Sequence, residues 1–271
     1  MALHVGRGRA MQTARRADAW AGTQHGARAM MAQAARGSGV TLSGVSRGFG
    51  GRTVLRDLSL VLTEHRIGIV GRNGSGKTTL SRLIAGLIAP EAGQVRVNGV
   101  DVVADRKAAI RTVGILFQNP DHQIIFPTVE EELAFGLRQL GRDKPGARRG
   151  AHAALARFGC DDWAARPTAS LSQGQRHLVC LMAVLAMRPA VIVLDEPFSG
   201  LDIPTTRRLR GYLDAFPAQI IHITHDPAAL RDYDRVLWLE SGGVAGDGPA
   251  EDVLNQYLTA METAGDAGAD L

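Results

Sequence analysis

The 271-residue sequence has few cysteines, few lysines and no long apolar run, and each shortage excludes a class of protein. Its two cysteines, Cys160 and Cys180, lie far apart in unlike contexts, so we expect reduced structural thiols rather than a disulfide framework or a zinc site. The longest apolar run, residues 178–187, is about half the length that crosses a bilayer, so the chain is not expected to span a membrane by itself. Lysine occurs three times against 28 arginines, which makes the position of each lysine informative.

The net positive charge is concentrated at one end of the chain. Lysine and arginine number 31 against 27 acidic residues, which gives +4, yet residues 1–38 alone carry six arginines and one acid, or +5. Nucleic-acid recognition needs basic side chains clustered on a folded face, so this charge does not predict a nucleic-acid partner. We expect a disordered basic extension at residues 1–38. A start codon assigned too early (with Met30 or Met31 as the true start), a transit peptide and a weak attraction to anionic lipid are the alternatives.

From Val40 onward the pattern is that of an α/β domain, because strand-like and helix-like runs alternate. The alternation predicts a doubly wound, mostly parallel core sheet, and the hairpin signal Asn98-Gly99 adds an antiparallel β part. Predicted strands include residues 53–62, 67–70, 191–194, 220–223 and 236–239. Predicted helices include residues 77–87, 203–215 and 227–232.

The middle of the chain predicts a helical insertion. Residues 129 to about 162 have a helical pattern, interrupted by a polar basic loop at 141–150. We place the whole domain at residues 39–260, with the helical insertion at about 119–185 and a short flexible tail at 261–271.

A glycine-rich segment follows the predicted strand at 67–70 and opens the next helix. Its sequence, GRNGSGKT, fits the pattern G-x-x-x-x-G-K-[ST] in the context that the pattern requires. The glycines let backbone N–H groups converge on phosphate oxygens, Lys77 meets the charge of the β- and γ-phosphates, and the Thr78 hydroxyl can bind Mg²⁺. The segment predicts a nucleotide site formed by Gly71, Arg72, Asn73, Gly74, Ser75, Gly76, Lys77, Thr78 and Thr79.

Two acidic residues end a later apolar strand, in the sequence VIVLDE at residues 191–196. This order places Asp195 at the carboxyl edge of the sheet, where it can hold Mg²⁺ through water, while Glu196 polarises an attacking water. Two acids after a strand are often only a helix-capping turn. Their combination with the phosphate segment predicts hydrolysis of a nucleoside triphosphate.

Three further segments resemble those of ABC-type ATPases: Leu171-Ser172-Gln173-Gly174-Gln175, Ser199-Gly200-Leu201-Asp202 and Ile223-Thr224-His225-Asp226. The resemblance covers roughly residues 40–260 and implies a P-loop NTPase fold of the ABC-cassette type. Such cassettes work as head-to-tail pairs, in which the phosphate loop of one chain and the signature of the other enclose one ATP. The resemblance therefore implies ATP and Mg²⁺ as ligands and a second ATPase subunit, either an identical copy or a close relative.

The resemblance also implies a role for each matching residue. Glu196 would be the general base, His225 would contact the γ-phosphate, Gln118 would sense Mg²⁺ and water, and Asp202 would contact the partner chain. Phe49 falls where the family has an adenine-stacking aromatic residue, usually Tyr, so the π-face is kept and the hydroxyl is lost.

The signature residues that would contact the partner's ATP are Ser172, Gln173, Gly174 and Gln175. Gln173 stands where the family usually has Gly. This departure leaves Ser172 and Gly174 intact as donors at a helix N-terminus, so we expect it to spare catalysis.

The segment after Gln118 resembles a narrower group, the ATPases of energy-coupling-factor transporters. It contains the strings F-Q-N-P-x-x-Q and T-V-E-E-E-L-A-F-G, which are typical of that group. There the second glutamine, here Gln123, lies beside a groove in which a coupling helix of the membrane subunit docks. Ile124, Ile125 and Phe126 would supply apolar contacts to such a groove, with an ordinary core segment as an equal alternative.

The resemblance implies a peripheral subunit on the cytoplasmic face of the cell membrane that powers uptake of a micronutrient. A transmembrane coupling subunit and a substrate-binding membrane subunit are the implied partners. Biotin is the favoured substrate, with cobalt and nickel as alternatives. A soluble regulatory or repair ATPase and a switch that binds ATP without meaningful turnover are the competing hypotheses.

Overall fold

The computed structural model describes residues 38–266. The extension predicted at residues 1–38 lies outside the described residues except for Ser38, and so do residues 267–271 of the predicted tail. The described chain forms ten strands: β1 (Val40–Phe49), β2 (Arg52–Leu62), β3 (Arg66–Val70), β4 (Ala92–Val97), β5 (Val100–Asp101), β6 (Val113–Leu116), β7 (Val191–Asp195), β8 (Gln219–Ile223), β9 (Arg235–Glu240) and β10 (Gly243–Gly248). Its seven α-helices are α1 (Lys77–Ile84), α2 (Arg106–Thr112), α3 (Val129–Gln139), α4 (Lys144–Arg157), α5 (Gln173–Ala186), α6 (Ile203–Asp214) and α7 (Ala250–Asp266).

A six-stranded sheet runs through the centre of the described chain, in the order β10-β9-β3-β8-β7-β6. All neighbours pair in parallel except β10, which is antiparallel to β9. Strand β7 is buried from end to end and β3 after its first residue, as expected of apolar strands covered on both faces. Because these strands run in the same direction, the segments that follow β3, β6, β7 and β8 meet at one edge of the sheet.

A second, antiparallel sheet has the order β2-β1-β4-β5. The predicted turn joins β4 to β5, with φ of 48° at Asn98 and 78° at Gly99, and positive values at both positions are what a two-residue type I′ hairpin needs. The inward side chains of this sheet share one apolar core with α1 and the parallel sheet. The predicted fold class, α/β with a mostly parallel core sheet, an antiparallel β part and a helical insertion, is confirmed.

Helices α3, α4 and α5 form the helical part and enclose a second apolar core with β6 and β7. Cys160 and Cys180 lie in this core as free thiols, and burial raises the pKa of Cys180 to about 12. Both cysteines are structural, as the sequence predicts. Within residues 38–266, no helix combines the length and apolar character needed to cross a membrane.

The loop predicted at residues 141–150 is wrong over its last seven residues, which begin α4. Asp143 caps this helix, because its carboxylate accepts the N–H of Gly146 at 2.9 Å. A Cβ on Gly150 would collide with Leu137 of α3. The glycines that suggested a loop therefore include one that permits close packing of two helices.

Four other elements differ from the sequence analysis. Strand β6 and helix α2 were not predicted, and the helix predicted at residues 227–232 is a 3₁₀ helix over Pro227–Leu230. Helix α7 continues to Asp266, beyond residue 260, where a flexible tail was expected to begin.

Candidate active site

The phosphate loop, residues 71–76, joins the end of β3 to the start of α1. Gly74 and Gly76 have φ of 80° and 104°, values that strain any residue with a Cβ. Gly71 has φ of 152°, and a Cβ on it would collide with the carbonyl oxygen of Leu239. The three glycines let the backbone turn sharply into α1, whose first N–H groups have no helical acceptor and form a site for an anion.

Lys77, the first residue of α1, bends back over the loop. Its Nζ donates to the carbonyl oxygens of Gly71 at 2.6 Å and Arg72 at 2.9 Å. Burial lowers the pKa of Lys77, and the carboxylates of Glu196 and Asp195 act in the opposite direction. The ammonium group therefore lies between the loop and the two acids.

The other predicted residues of the loop differ in exposure. Arg72 and Asn73 are exposed, and Thr79 is half-buried. The Ser75 hydroxyl is buried and has no hydrogen-bond partner among residues 38–266. A buried polar atom without a partner needs an explanation, and a phosphate oxygen at this loop would supply one.

Asp195 ends β7 and is buried at the carboxyl edge of the sheet. Burial raises the pKa of its carboxyl group, whereas the hydrogen bond with Thr78 and the charge of Lys77 act to lower that pKa. The start of α1 and the end of β7 therefore meet here. A hydroxyl and a carboxylate are the oxygen donors that Mg²⁺ prefers.

Glu196 follows directly, and groups at the end of β8 hold its carboxylate. Its Oε1 accepts the backbone N–H of His225 at 2.8 Å and lies 2.8 Å from the His225 Nδ1, while its Oε2 accepts the Thr224 hydroxyl at 3.1 Å. The φ of Glu196 is 52°, a left-handed value that is uncommon outside glycine. Backbone in such regions persists only where its surroundings fix it, and this is typical of functional sites.

Gln118 emerges at the same edge of the sheet. It is exposed and lies two residues after Leu116, the last residue of β6. Leu116 pairs with Leu194, which directly precedes Asp195. The parallel pairing of β6 with β7 therefore places Gln118 on the side of the sheet that carries the acids.

Phe49 ends β1 and is 48% exposed. The guanidinium carbon of Arg47 lies 4.7 Å from the ring centroid. The cross-strand partner of Arg47 is Leu55, and a Cβ on Gly76 would collide with the Leu55 side chain. The hairpin that carries Phe49 thus packs on the start of the phosphate-loop helix.

The signature residues form the start of α5. The Ser172 hydroxyl accepts the N–H of Gln175 at 3.2 Å, and the Gln175 Oε1 accepts the N–H of Ser172 at 3.0 Å, which makes a capping box. Within residues 38–266, no hydrogen bond or ion pair links residues 172–175 to the phosphate loop.

The segment at residues 199–202 packs against the signature. A Cβ on Gly174 would lie 3.2 Å from the Leu201 side chain, and one on Gly200 would lie 3.6 Å from the Gln173 amide. Asp202 is exposed and caps α6 by accepting the N–H of Thr205 at 2.7 Å, a hydrogen bond that lowers its pKa.

An apolar groove of about 450 Å³ lies between the helical part and the segments around α2. Gln123 and Ile125 line it, and Ile125 is 69% exposed. Of the other two residues predicted for the groove, Ile124 packs against the core of the helical part, and Phe126 lines a neighbouring depression along α3. The sequence left groove and core open as alternatives for these residues, and Ile125 lies in the groove whereas Ile124 packs against the core.

Sequence reasoning missed the rest of the groove. Leu87 and Ile110, both exposed apolar residues, line it from the other side, and the sequence marks neither as special. The buried carboxylate of Glu132 accepts the N–H groups of Ile125 and Phe126, each at 2.9 Å, and so fixes the path of this segment. The three-residue spacing of Glu132 from the buried Val129 would have placed it on the inner face of α3.

One ion pair connects the segment after Gln118 with the signature helix. The Arg176 Nε lies 3.1 Å from an oxygen of Asp121, and the Arg176 Nη1 donates to the carbonyl oxygen of Leu171 at 2.8 Å. Asp121 belongs to the 3₁₀ helix Pro120–His122. This charged contact therefore links the segment after Gln118 to the helix that begins with the signature.

Comparisons with known proteins show the family of the chain. The family model described as ABC transporter matches residues 55–199. The biotin transport ATP-binding protein BioM of Rhodobacter capsulatus is 53% identical over 219 residues, which is 81% of this chain and 94% of that protein. The cobalt import ATP-binding protein CbiO of Syntrophus aciditrophicus is 37% identical over 211 residues, 76% of this chain and 75% of that protein.

A solved structure has a similar fold over most of the chain. It is the structure of cbiO1 from Clostridium perfringens, described as part of the ABC transporter complex cbiONQ. It is 26% identical, has a TM-score of 0.69, and covers 83% of this chain and 94% of its own.

Proposed function

The chain belongs to the ABC transporter family of ATP-binding proteins, and we propose that it is the ATPase subunit of an energy-coupling-factor importer. One observation carries the proposal. The same chain holds a phosphate loop beside two acids and an exposed apolar groove that begins within five residues of Gln118. An ATP site next to a docking groove is what a subunit needs if it transmits the energy of hydrolysis to a membrane partner.

The loop fits the phosphates of ATP, and the donor set beside it fits Mg²⁺. The glycine backbone, the Lys77 ammonium and the unpartnered Ser75 hydroxyl would contact phosphate oxygens. Thr78, Asp195 and Gln118 would hold Mg²⁺ with hydroxyl, carboxylate and amide oxygens. When bound, Mg²⁺ neutralises charge on the β- and γ-phosphates.

Glu196 would act as the general base in the hydrolysis of ATP to ADP and phosphate. Its carboxylate accepts a proton from the water that attacks the γ-phosphorus. The contacts from Thr224 and His225 hold that carboxylate in one orientation. The His225 imidazole is 70% exposed, so its ring is accessible to a γ-phosphate.

A second ATPase subunit, either an identical copy or a close relative, would complete the site. The Ser172 hydroxyl uses an oxygen lone pair to cap α5 and retains its proton for a phosphate oxygen of the partner's ATP. Gly174 and Asp202 would face the same junction. Closure around two ATP molecules and reopening after hydrolysis would move the attached membrane subunits.

The apolar groove would receive a coupling helix from a transmembrane subunit. Leu87, Ile110 and Ile125 expose apolar surface there, and such surface is suited to the apolar face of a partner helix. The chain would then sit at the cytoplasmic face of the cell membrane as a peripheral subunit. A substrate-binding membrane subunit would complete the importer.

Biotin is the proposed substrate, and the 53% identity to BioM supports it. The 37% identity to CbiO makes cobalt the alternative, with nickel as a further divalent ion of similar chemistry. The ATPase subunit does not touch the cargo in this scheme, so the assembled transporter must be tested.

The docking step can be tested with Ile125→Asp. A carboxylate placed in an apolar helix contact costs several kcal/mol unless it is paired, so the tagged variant is expected to purify without the membrane subunits. ATP binding should be unchanged, because Ile125 lies outside the nucleotide site. The matched control is Leu258→Asp, which charges an exposed apolar residue on α7 outside the groove. Recovery of equal amounts of membrane subunits with both variants would contradict the docking proposal.

A further inference from the structure

His222 occupies an unusual place for an imidazole. It lies in β8, is 1% exposed, and pairs in register with Leu194 of β7. Its Nδ1 lies 2.9 Å from the Tyr233 hydroxyl, whereas its Nε2 is buried with no hydrogen-bond partner among residues 38–266. Burial lowers the pKa of this imidazole to about 3, with a smaller contribution from the charge of Arg210, so the ring is neutral at neutral pH. An apolar side chain would fill this strand position without leaving a polar atom unpaired.

The imidazole contacts the segment that follows Glu196. The rings of His222 and Phe198 meet edge to face, with centroids 5.5 Å apart and an interplanar angle of 89°. The guanidinium carbon of Arg210 lies 5.1 Å from the Phe198 centroid. Tyr233, His222, Phe198 and Arg210 thus form one continuous row of side chains.

Phe198 lies in a tight turn that backbone hydrogen bonds close. The Ser199 N–H donates to the carbonyl oxygen of Glu196 at 3.2 Å, and the Leu201 N–H donates to the carbonyl oxygen of Phe198 at 3.2 Å. The turn begins at Glu196, whose φ is 52°, and leads to Asp202. A strained residue keeps its conformation only where neighbouring contacts fix it. Within this turn, the Phe198 ring is the side chain that contacts the row formed by Tyr233, His222 and Arg210.

We propose that His222, oriented by the Tyr233 hydroxyl, is a positioning residue that holds Phe198 and thereby sets the turn from Glu196 to Asp202. This inference rests on the proposed ATPase function, because the turn carries the proposed base and the proposed partner contact. His222 is buried and acts through its contact with Phe198.

Steady-state kinetics on the full-length chain in its transporter complex would test the role. His222→Leu removes the ring and is expected to lower kcat about tenfold with KM for ATP unchanged, and Tyr233→Phe is expected to lower kcat about threefold. The double variant should be no slower than His222→Leu, because Tyr233 acts only through the imidazole. His222→Phe restores a ring and should recover most of kcat. The matched control is Tyr212→Phe, which removes a hydroxyl that donates to the carbonyl oxygen of Arg157.

Hydrogen exchange provides a readout that does not depend on activity. In His222→Leu the amides of residues 196–202 should exchange at least threefold faster, while those of α7 keep the wild-type rate. Wild-type kcat in His222→Leu together with unchanged exchange would overturn the inference. Equal acceleration in both regions would also overturn it, because that result indicates general destabilisation. If the wild type shows no ATP hydrolysis that depends on Glu196, that result would instead count against the proposed function. The exchange measurement would still decide the positioning role.

Discussion

Replacement of Glu196 by Gln is the sharpest probe of the proposed chemistry, because the structure predicts that the variant folds. The Gln carbonyl oxygen can replace Oε1 and accept from the backbone N–H of His225, as the carboxylate does at 2.8 Å. The Gln amide then faces the Thr224 hydroxyl, which already accepts the Asp226 N–H and has a second lone pair. The expected loss of folding stability is about 1 kcal/mol, the size of one altered hydrogen bond.

The expected loss of hydrolysis is much larger. A positioned general base contributes roughly 10²–10⁴-fold to rate. This corresponds to about 3–6 kcal/mol of transition-state stabilisation, because each factor of ten is about 1.4 kcal/mol. Gln has no carboxylate to accept the proton, so kcat should fall by this factor. The affinity for ATP should stay within about threefold of the wild type, because the substitution leaves the residues proposed to contact the phosphates, Lys77 and Ser75, in place.

Phosphate release at saturating ATP and Mg²⁺ gives kcat, and equilibrium binding of a fluorescent ATP analogue gives affinity. The matched control is Glu240→Gln, which neutralises another acid whose charge acts on Lys77 but which does not follow β7. Its kcat should stay within about threefold of the wild type. A decrease of less than tenfold in Glu196→Gln would refute the assignment of Glu196 as the base.

Three further predictions follow from single contacts. Phe49→Ala should raise KM for ATP about three- to tenfold, since a lost aromatic stack is worth about 0.5–1.5 kcal/mol. Phe49→Tyr should keep the wild-type KM, and a wild-type KM in Phe49→Ala would contradict stacking. Gly71→Ala should lower the free energy of unfolding by about 1–3 kcal/mol in urea titrations, because φ is 152° and a Cβ would collide with Leu239. His222 is protonated below pH 6.5 in the unfolded chain but only near pH 3 in the folded chain, so its contribution to stability falls as pH drops below 6.5. His222→Asn, whose amide can still reach Tyr233, should therefore lose about 2 kcal/mol less stability than the wild type when the pH falls from 6.5 to 5. Urea titrations at each pH measure this loss, and equal losses in the two proteins would contradict a buried neutral imidazole.

Parts of the site were predictable because local sequence rules determine them. The spacing of glycine, lysine and threonine is legible in residues 71–78, since a phosphate loop needs glycine wherever φ is positive or a Cβ has no room. Asp195 and Glu196 were predictable for a related reason. An apolar strand that ends in acids places them at the carboxyl edge of a parallel sheet.

Other parts depend on contacts between distant segments. Ile124 and Ile125 are identical in type and adjacent, and their separation into core and groove depends on the 3₁₀ turn before them and on the hydrogen bonds from Ile125 and Phe126 to Glu132. Gly150 signalled a loop although it allows α4 to approach Leu137. Nothing in the sequence singles out His222, because its role depends on Phe198. Phe198 lies 24 residues earlier, in the segment that follows the neighbouring strand β7.

Transport of labelled substrate tests the central claim most directly. The full-length chain, reconstituted with its membrane subunits in proteoliposomes that enclose ATP and Mg²⁺ and have the ATP site facing the lumen, should accumulate labelled biotin added outside. Glu196→Gln should abolish that accumulation while the complex stays assembled. Accumulation of Co²⁺ or Ni²⁺ in place of biotin would contradict the proposed substrate, and ATP hydrolysis by a chain that never assembles with membrane subunits would contradict the proposed transport function.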